Sequence, residues 1–558
     1  MRIFTVKHLI SLLIIGLSIL SGGQIIGAPR TLQDVAVTRV LKQQTNEHPG
    51  TLQFSPKDRS LLANLYNLLI QNNPHKNQVA TVRVFPETFT LCPQEEEFLE
   101  LRNQRCLAAL ETFIGEKIDP ATMPNIGIVG SGGGFRAMFS VAGFLSGLDH
   151  IGFLDTARYI TSLSGSTWAI TPWMYSDMSY QDFAPILIKR ATSGILSKQL
   201  DEQISDIVNS LVIVGDCFLR KLAFNEIPTI IDLYGLLLAM TLLDPTQKNS
   251  YLETDLSKQA LRLVDGATPM PIYTAVAAHK KEPFYHWVEF TPYEVALLDD
   301  HFATESWGFG RAFSKGQSVN AAPSLNAGFL MGDWGSAISP SVKEICQHTI
   351  GKLEPQALFK PLQDLLGETS IGNLRFFPAY IRTPSFKMDN VPLNQEKYQV
   401  LIDSGFELNL PVVSLIQPAR NTDLILICDI SGDIETLNEL KKTEIYAQQH
   451  HLPFPQVNYE GLLERPFTVF DDGPEANTPV VVYFPLCTNQ HFNPHFDPCK
   501  FLGMGNFLNT SNFAYTEYEA GLIAGLFETA AKDAQDALQG VVRTLIQRKA
   551  QRLNQQYA

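Results

Sequence analysis

The 558-residue chain is 45% hydrophobic and 18% charged, an ordinary globular composition that argues against a disordered or solenoid protein and leaves room for two or three average domains or one large α/β unit. A formal net charge of -14 at pH 7 argues against nucleic acid as a partner and against a broad electrostatic grip on anionic lipid, so membrane contact would have to come from apolar side chains or local basic clusters. Seven scattered cysteines show no close pairing that would mark a metal site, and their spacing fixes no disulfide pattern.

The N-terminus reads as a secretory signal over residues 1–28: Arg2 and Lys7 are basic, Leu9 to Leu20 is largely apolar, and Ser21-Gly22-Gly23 offers a cleavage near residue 23. Export to a secreted or periplasmic location follows as the expectation, with an uncleaved membrane anchor as its alternative. Residues 29–84 form an extension of mixed composition in which Ser60 to Leu69 has the spacing of a short helix. Beyond Pro93 the acidic start and apolar spacing of Gln94 to Phe113 predict a helix ending near Gly115. Asn125 to Gly130 then reads as a strand, Ser131-Gly132-Gly133-Gly134 as a glycine turn, and the stretch to Leu148 as a helix. The same grammar recurs at once, with Tyr159 to Leu163 as strand, Ser164-Gly165-Ser166 as turn and Thr167 opening a helix. Two more strands are expected at Tyr398 to Ile402, ending on Asp403-Ser404-Gly405, and at Asp423 to Ile427. The chain closes on a helical pattern from Thr516 to about Gln551, with Arg543, Arg548 and Lys549 near its end. Strands alternating with helices predict a sheet covered by helices.

Three of these turns carry residues suited to chemistry. Successive glycines between a strand and a helix let backbone amides converge on an anion, although three glycines also suffice for a tight turn without a ligand. No Lys-Ser or Lys-Thr pair follows them, and their spacing does not fit a dinucleotide fingerprint. Ser164 occupies the strand-to-helix position of a nucleophile elbow, with Ser162 and Ser166 where glycines usually stand. None of the twelve histidines sits in a convincing strand-end motif to serve as its base, and His491 with His495 lacks a third metal ligand nearby. A carboxylate is the alternative base, and Asp403 stands at the end of an apolar strand, although a lone Asp-Ser-Gly reads more simply as a capped turn.

Gly130-Ser131-Gly132-Gly133-Gly134-Phe135-Arg136-Ala137-Met138, Leu163-Ser164-Gly165-Ser166-Thr167-Trp168, and Asp403-Ser404-Gly405 with Asn409-Leu410-Pro411 resemble, in order, the three signature blocks of the cytosolic phospholipase A2 family. Further similar stretches, such as Trp287 to Glu294 and Phe329 to Ala337, extend the resemblance over roughly residues 85–550. It implies an α/β, patatin-like core with a central mixed, largely parallel sheet flanked by helices, plus a short cap at about residues 340–397, so that 85–558 forms the catalytic domain. It also implies a Ser-Asp dyad of Ser164 and Asp403, oxyanion donors at Gly133 and Gly134, and Arg136 on the substrate phosphate. Arg420 matches a further family arginine, with pairing to Asp423 or Asp429 as its plainer role. The implied reaction is hydrolysis of fatty-acyl esters of phospholipids or lysophospholipids, with no cofactor or metal and only peripheral contact with a membrane surface. A lipid acyltransferase using the same dyad and an inactive lipid-binding protein are the alternatives. The calcium-dependent lipid-binding module of many members has no counterpart before residue 85.

Overall fold

The computed structural model describes residues 56–194, 220–221, 223–224, 226, 230–243, 254–278, 285–336 and 379–556. The segment read as a signal and most of the expected cap lie outside these residues.

Apolar runs too continuous for a half-exposed strand form the centre of the sheet. Every residue of β2 (Ile126–Gly130), β3 (Tyr159–Ser162), β10 (Leu424–Asp429) and β12 (Val480–Pro485) is buried, as expected of parallel strands covered on both faces. Together with β4 (Met270–Ala278) they run parallel in the order β4-β3-β2-β10-β12. Antiparallel strands extend both flanks. On one side follow β5 (Tyr285–Phe290), β6 (Glu294–Leu297), β7 (Phe302–Glu305) and β1 (Val82–Val84), and on the other β11 (Thr468–Phe470). A hairpin of β8 (Ala379–Arg382) and β9 (Tyr398–Asp403) joins β4 and completes a twelve-stranded mixed sheet.

Ten α-helices appear among the described residues: α1 (Pro56–Asn72), α2 (Pro93–Ile114), α3 (Gly134–His150), α4 (Gly165–Ile170), α5 (Tyr180–Ser193), α6 (Ile230–Leu242), α7 (Ala327–Trp334), α8 (Asn438–Gln449), α9 (Glu517–Asp533) and α10 (Gln535–Gln556). Helix α2 stops where expected, at Gly115, whose φ of 74° closes the helix in the left-handed region. The expected single C-terminal helix is two: α9 opens on a capping box of Thr516 and Glu519 and ends at Ala534, and α10 starts at the next residue. The break is invisible to a periodicity argument because alanine suits a helix interior and a helix end alike.

The parallel order places β3 on one side of β2 and β10 on the other. Such a reversal opens a crevice beyond the carboxyl ends of the strands, the usual ligand position in an open α/β sheet. The loops after β2, β3, β9 and β10 all lie at that end.

Candidate active site

The loop after β2 is a cradle of amides. Gly133 has φ 146° and Gly134 φ 63°, conformations that side chains resist, and the turn delivers both N–H groups to the first turn of α3. Neither amide has an acceptor among the described residues. Ser131 anchors the loop to β10: its amide donates to the Cys428 carbonyl at 3.1 Å and its Oγ accepts from the Ile430 amide at 2.7 Å.

Ser164 follows β3 with φ 50° and ψ -130°, a strained conformation for a residue with a side chain and the mark of a sharp strand-to-helix elbow. Two contacts hold it there. Its own amide donates to the Trp334 carbonyl at the end of α7, at 3.0 Å, and Ser166 Oγ accepts from the Leu163 amide at 3.0 Å while lying 2.8 Å from the Gly130 carbonyl. Ser166, read in the sequence only as a small stand-in for glycine, is therefore a polar latch across the elbow. A Cβ on Gly165 would stand 1.9 Å from the Gly134 carbonyl oxygen, so the elbow and the glycine cradle meet backbone to backbone. Ser164 itself is 4% exposed.

Asp403 reaches the same place from the opposite direction. Tyr273 of β4 has Phe290 on one edge and Ser162 on the other; Ala275 has Val288 on the first edge and Asp403 on the second. Strands β3 and β9 thus share one edge of β4 and meet head-on, carboxyl end to carboxyl end, on either side of Thr274. The Thr274 hydroxyl ties the two ends together, donating to the Ser162 carbonyl at 3.2 Å and sharing a 2.8 Å hydrogen bond with Ser404 Oγ. Asp403 is fully buried, its amide donates to Ser336 Oγ at 3.0 Å, and its Oδ1 accepts from the Gly405 amide at 2.8 Å. Sequence reasoning assigned no role to Thr274 or Ser336: a threonine within a strand belongs to no motif, and Ser336 entered only as part of the Phe329 to Ala337 stretch that resembles the family.

Arg136 is also fully buried, and burial lowers its pKa from the ordinary guanidinium value. Its Nε donates to the Ile430 carbonyl at 3.0 Å, and its Nη1 donates to the Leu508 carbonyl and to Thr510 Oγ1, so most of its fork braces the loops around the cradle. Nη2 remains beside Gly133 and Gly432. Arg420 lies in the turn that leads into β10, at the amino end of that strand. It pairs with neither Asp423 nor Asp429 but with Glu95 at 3.1 Å and Glu289 at 3.0 Å, over the ring of Tyr159, which begins β3. Asp423 instead meets Lys549 at 2.5 Å, and Asp429 accepts from Ser431 and Tyr483.

Around the elbow four rings meet edge to face: Phe135 with Trp168 (5.6 Å between centroids), Phe135 with Phe513 (5.7 Å), and Tyr234 with Trp168 and with Phe513 (6.2 Å each). His491 is engaged by Asp533 at 3.1 Å, and among the described residues no group of three or more His, Cys, Asp or Glu is placed to hold a metal ion.

Residues 126–453 match the family model for the lysophospholipase catalytic domain. Human cytosolic phospholipase A2 zeta is 29% identical over 474 residues, covering 74% of this chain and 54% of that protein, and mouse cytosolic phospholipase A2 delta is 27% identical with 74% and 56% covered. The chain thus spans about half the length of these relatives. Human GIVD cytosolic phospholipase A2 shares the fold, with a TM-score of 0.69 at 22% identity over 84% of this chain and 66% of that one. These names overturn the expectation of export and its membrane-anchored alternative, since the relatives are named cytosolic phospholipases. No helix among the described residues, which exclude the segment read as a signal, is long and apolar enough to cross a membrane. Two basic residues before an apolar run are a pattern that a secretory leader shares with other apolar segments, so the pattern was too weak to fix a location. With the match spanning 328 of its 558 residues, the chain belongs to the lysophospholipase catalytic domain family, the family of the cytosolic phospholipases A2.

Proposed function

We propose that the chain hydrolyses fatty-acyl esters of glycerophospholipids and their lyso forms, with Ser164 as nucleophile and Asp403 as base. The observation that carries this reading is the head-on meeting of β3 and β9 on one edge of β4, beside an amide cradle whose N–H groups have no acceptor among the described residues. Asp403 takes the proton of Ser164 as Oγ attacks the acyl carbonyl, and the Gly133 and Gly134 amides bind the resulting oxyanion. Collapse expels the glycerol oxygen, which recovers the proton from Asp403, and leaves the acyl group on Ser164. Water, deprotonated by Asp403, then releases the fatty acid and restores the serine. Nη2 of Arg136, beside Gly133, is the donor positioned for the phosphate.

The aromatic cluster beside the elbow supports an apolar acyl chain as the part bound next to Ser164. Phe406, 48% exposed and three residues beyond Asp403, supports contact with a lipid surface through apolar side chains rather than through charge.

Defined phosphatidylcholine and lysophosphatidylcholine provide the test. Ser164→Ala and Asp403→Ala are each expected to lower ester hydrolysis by roughly a thousandfold or more in folded protein, and a fluorophosphonate is expected to label Ser164 of the unaltered chain. Activity at the unaltered level in either variant would refute the dyad.

A further inference from the structure

The cradle has a mechanical weakness. The peptide between Gly132 and Gly133 is flanked by two residues without side chains, so it can rotate as a unit and turn its N–H away from the site. In a trans peptide the C=O and the N–H point in opposite directions. Whatever grips the Gly132 carbonyl therefore also aims the Gly133 amide.

Two donors share that grip: Ser131 Oγ, from within the loop, at 3.4 Å, and Asn409, from the turn that carries the base. Asn409 Nδ2 donates to the Gly132 carbonyl at 3.4 Å, while the Gly132 amide donates to the Asn409 carbonyl at 3.4 Å, so the two residues bracket each other. Both bonds are long. The Asn409 side chain is wedged in place: a Cβ on Gly132 would lie 2.4 Å from its Oδ1, and one on Gly405, in the Asp403 turn, would lie 3.2 Å from the same atom. It thus fills the space between the cradle and the turn that carries the base.

The orientation of the amide is fixed by a chain of donors. Asp429, fully buried at the end of β10, receives the Tyr483 hydroxyl at 2.7 Å, the Ser431 amide at 2.9 Å and the Ser431 hydroxyl at 2.5 Å. With its only proton committed to Asp429, Ser431 Oγ can only accept from Asn409 Nδ2, which lies 2.8 Å away. That requirement keeps the NH2 side of Asn409 toward Ser431 and Gly132. The Asn409 backbone N–H also donates to Glu439 Oε2 at 2.9 Å, anchoring the residue from behind.

We infer that Asn409 is a positioning residue for the reaction proposed above, a latch that prevents the Gly132–Gly133 peptide from flipping, and that Asp429 and Ser431 set its polarity. This inference rests on the hydrolase reading and on the cradle as the oxyanion site. It predicts a loss in kcat with little change in KM, because the Gly133 amide matters most in the transition state.

The test is turnover per active site, titrated with a fluorophosphonate so that misfolded protein drops out. Asn409→Leu, close in shape but without a donor, is expected to lower kcat roughly 10- to 100-fold, less than the roughly 100- to 1000-fold typical of deleting an oxyanion donor outright. KM should move less than about threefold. Ser431→Ala, remote from substrate, frees the Asn409 amide to turn over and is expected to lower kcat by roughly three- to tenfold with KM unchanged; it carries the test alone should Asn409→Leu fail to fold. A purely structural role would lower the melting temperature and the titratable fraction while leaving kcat per site intact, and that result in both variants, or in Ser431→Ala alone if Asn409→Leu does not fold, overturns the inference. If Ser164 of the unaltered chain is not labelled, the hydrolase reading falls first and this inference with it.

Discussion

Asp333 is a carboxylate enclosed beside the elbow. It precedes Trp334, whose carbonyl holds the elbow; it is fully buried, and neither of its carboxylate oxygens has a hydrogen-bond partner among the described residues. Burial pushes its carboxyl well above the ordinary carboxylate range, the Lys221 ammonium offsets this only in part, and Asp403 and Asp232 add to it. The sign of the linkage follows. The folded state holds a proton on Asp333 at pH values where the unfolded chain has lost it, so this residue's contribution to stability falls as pH rises from the unfolded value through the folded one. Asp333→Asn is expected to flatten that part of the stability profile, and Asp333→Leu to stabilise the protein by about 1–3 kcal/mol near pH 8. Urea melts at pH 5 and pH 8 check both, and a pH slope unchanged in Asp333→Asn would rule out the buried proton. In the sequence Asp333 sits inside Phe329 to Ala337, a stretch valued for its resemblance to the family, and a resemblance does not reveal that a carboxylate is enclosed.

At the scale of elements, the site depends on two helix starts pressed together. Gly165 opens α4 and lies against the Gly134 carbonyl, and nothing in that contact can give way, since both partners are backbone. Gly165→Ala is expected to cost roughly 1–3 kcal/mol, the range for overpacking, and to depress kcat further than the stability loss accounts for, because the elbow and the cradle must separate to admit a methyl group. Turnover per titrated site against the thermal midpoint distinguishes the two effects. These turns were legible in the sequence because each packs its chemistry into a few neighbouring residues: an apolar run, a glycine or serine turn, a helix start. The head-on meeting of β3 and β9 was not legible, because strand register between residues more than 200 positions apart is set by pairing along β4 and leaves no local trace. The same holds for the latches. Thr274, Ser336 and Ser166 act through single hydroxyls whose partners only the fold supplies.

Across the whole molecule the two ends of the parallel strands are specialised differently. Chemistry-bearing turns crowd the carboxyl end, whereas Arg420 enters from the amino end: its Nε reaches Glu95 on α2, its Nη1 reaches the Ser414 carbonyl and Glu289, opposite Thr274 of β4, and its plane lies over Phe89 and Tyr159. Tyr159 in turn donates to Glu95 at 2.8 Å, so one guanidinium joins the helix before the sheet, two of its strands and the loop leading into β10. Burial works against the charge, but the Glu289 and Glu95 carboxylates outweigh it and hold the Arg420 pKa well above its ordinary value. Removing only the cation would strand two buried carboxylates, a far greater cost than the net worth of the intact cluster. Arg420→Met is therefore expected to destabilise the protein by about 3–5 kcal/mol, measured by denaturant unfolding, while kcat per titrated site stays within about twofold of the unaltered chain. A loss of turnover matching the loss of stability would place Arg420 in the chemistry after all, and would mean that strain at Glu289 reaches the elbow through Thr274, its neighbour on β4.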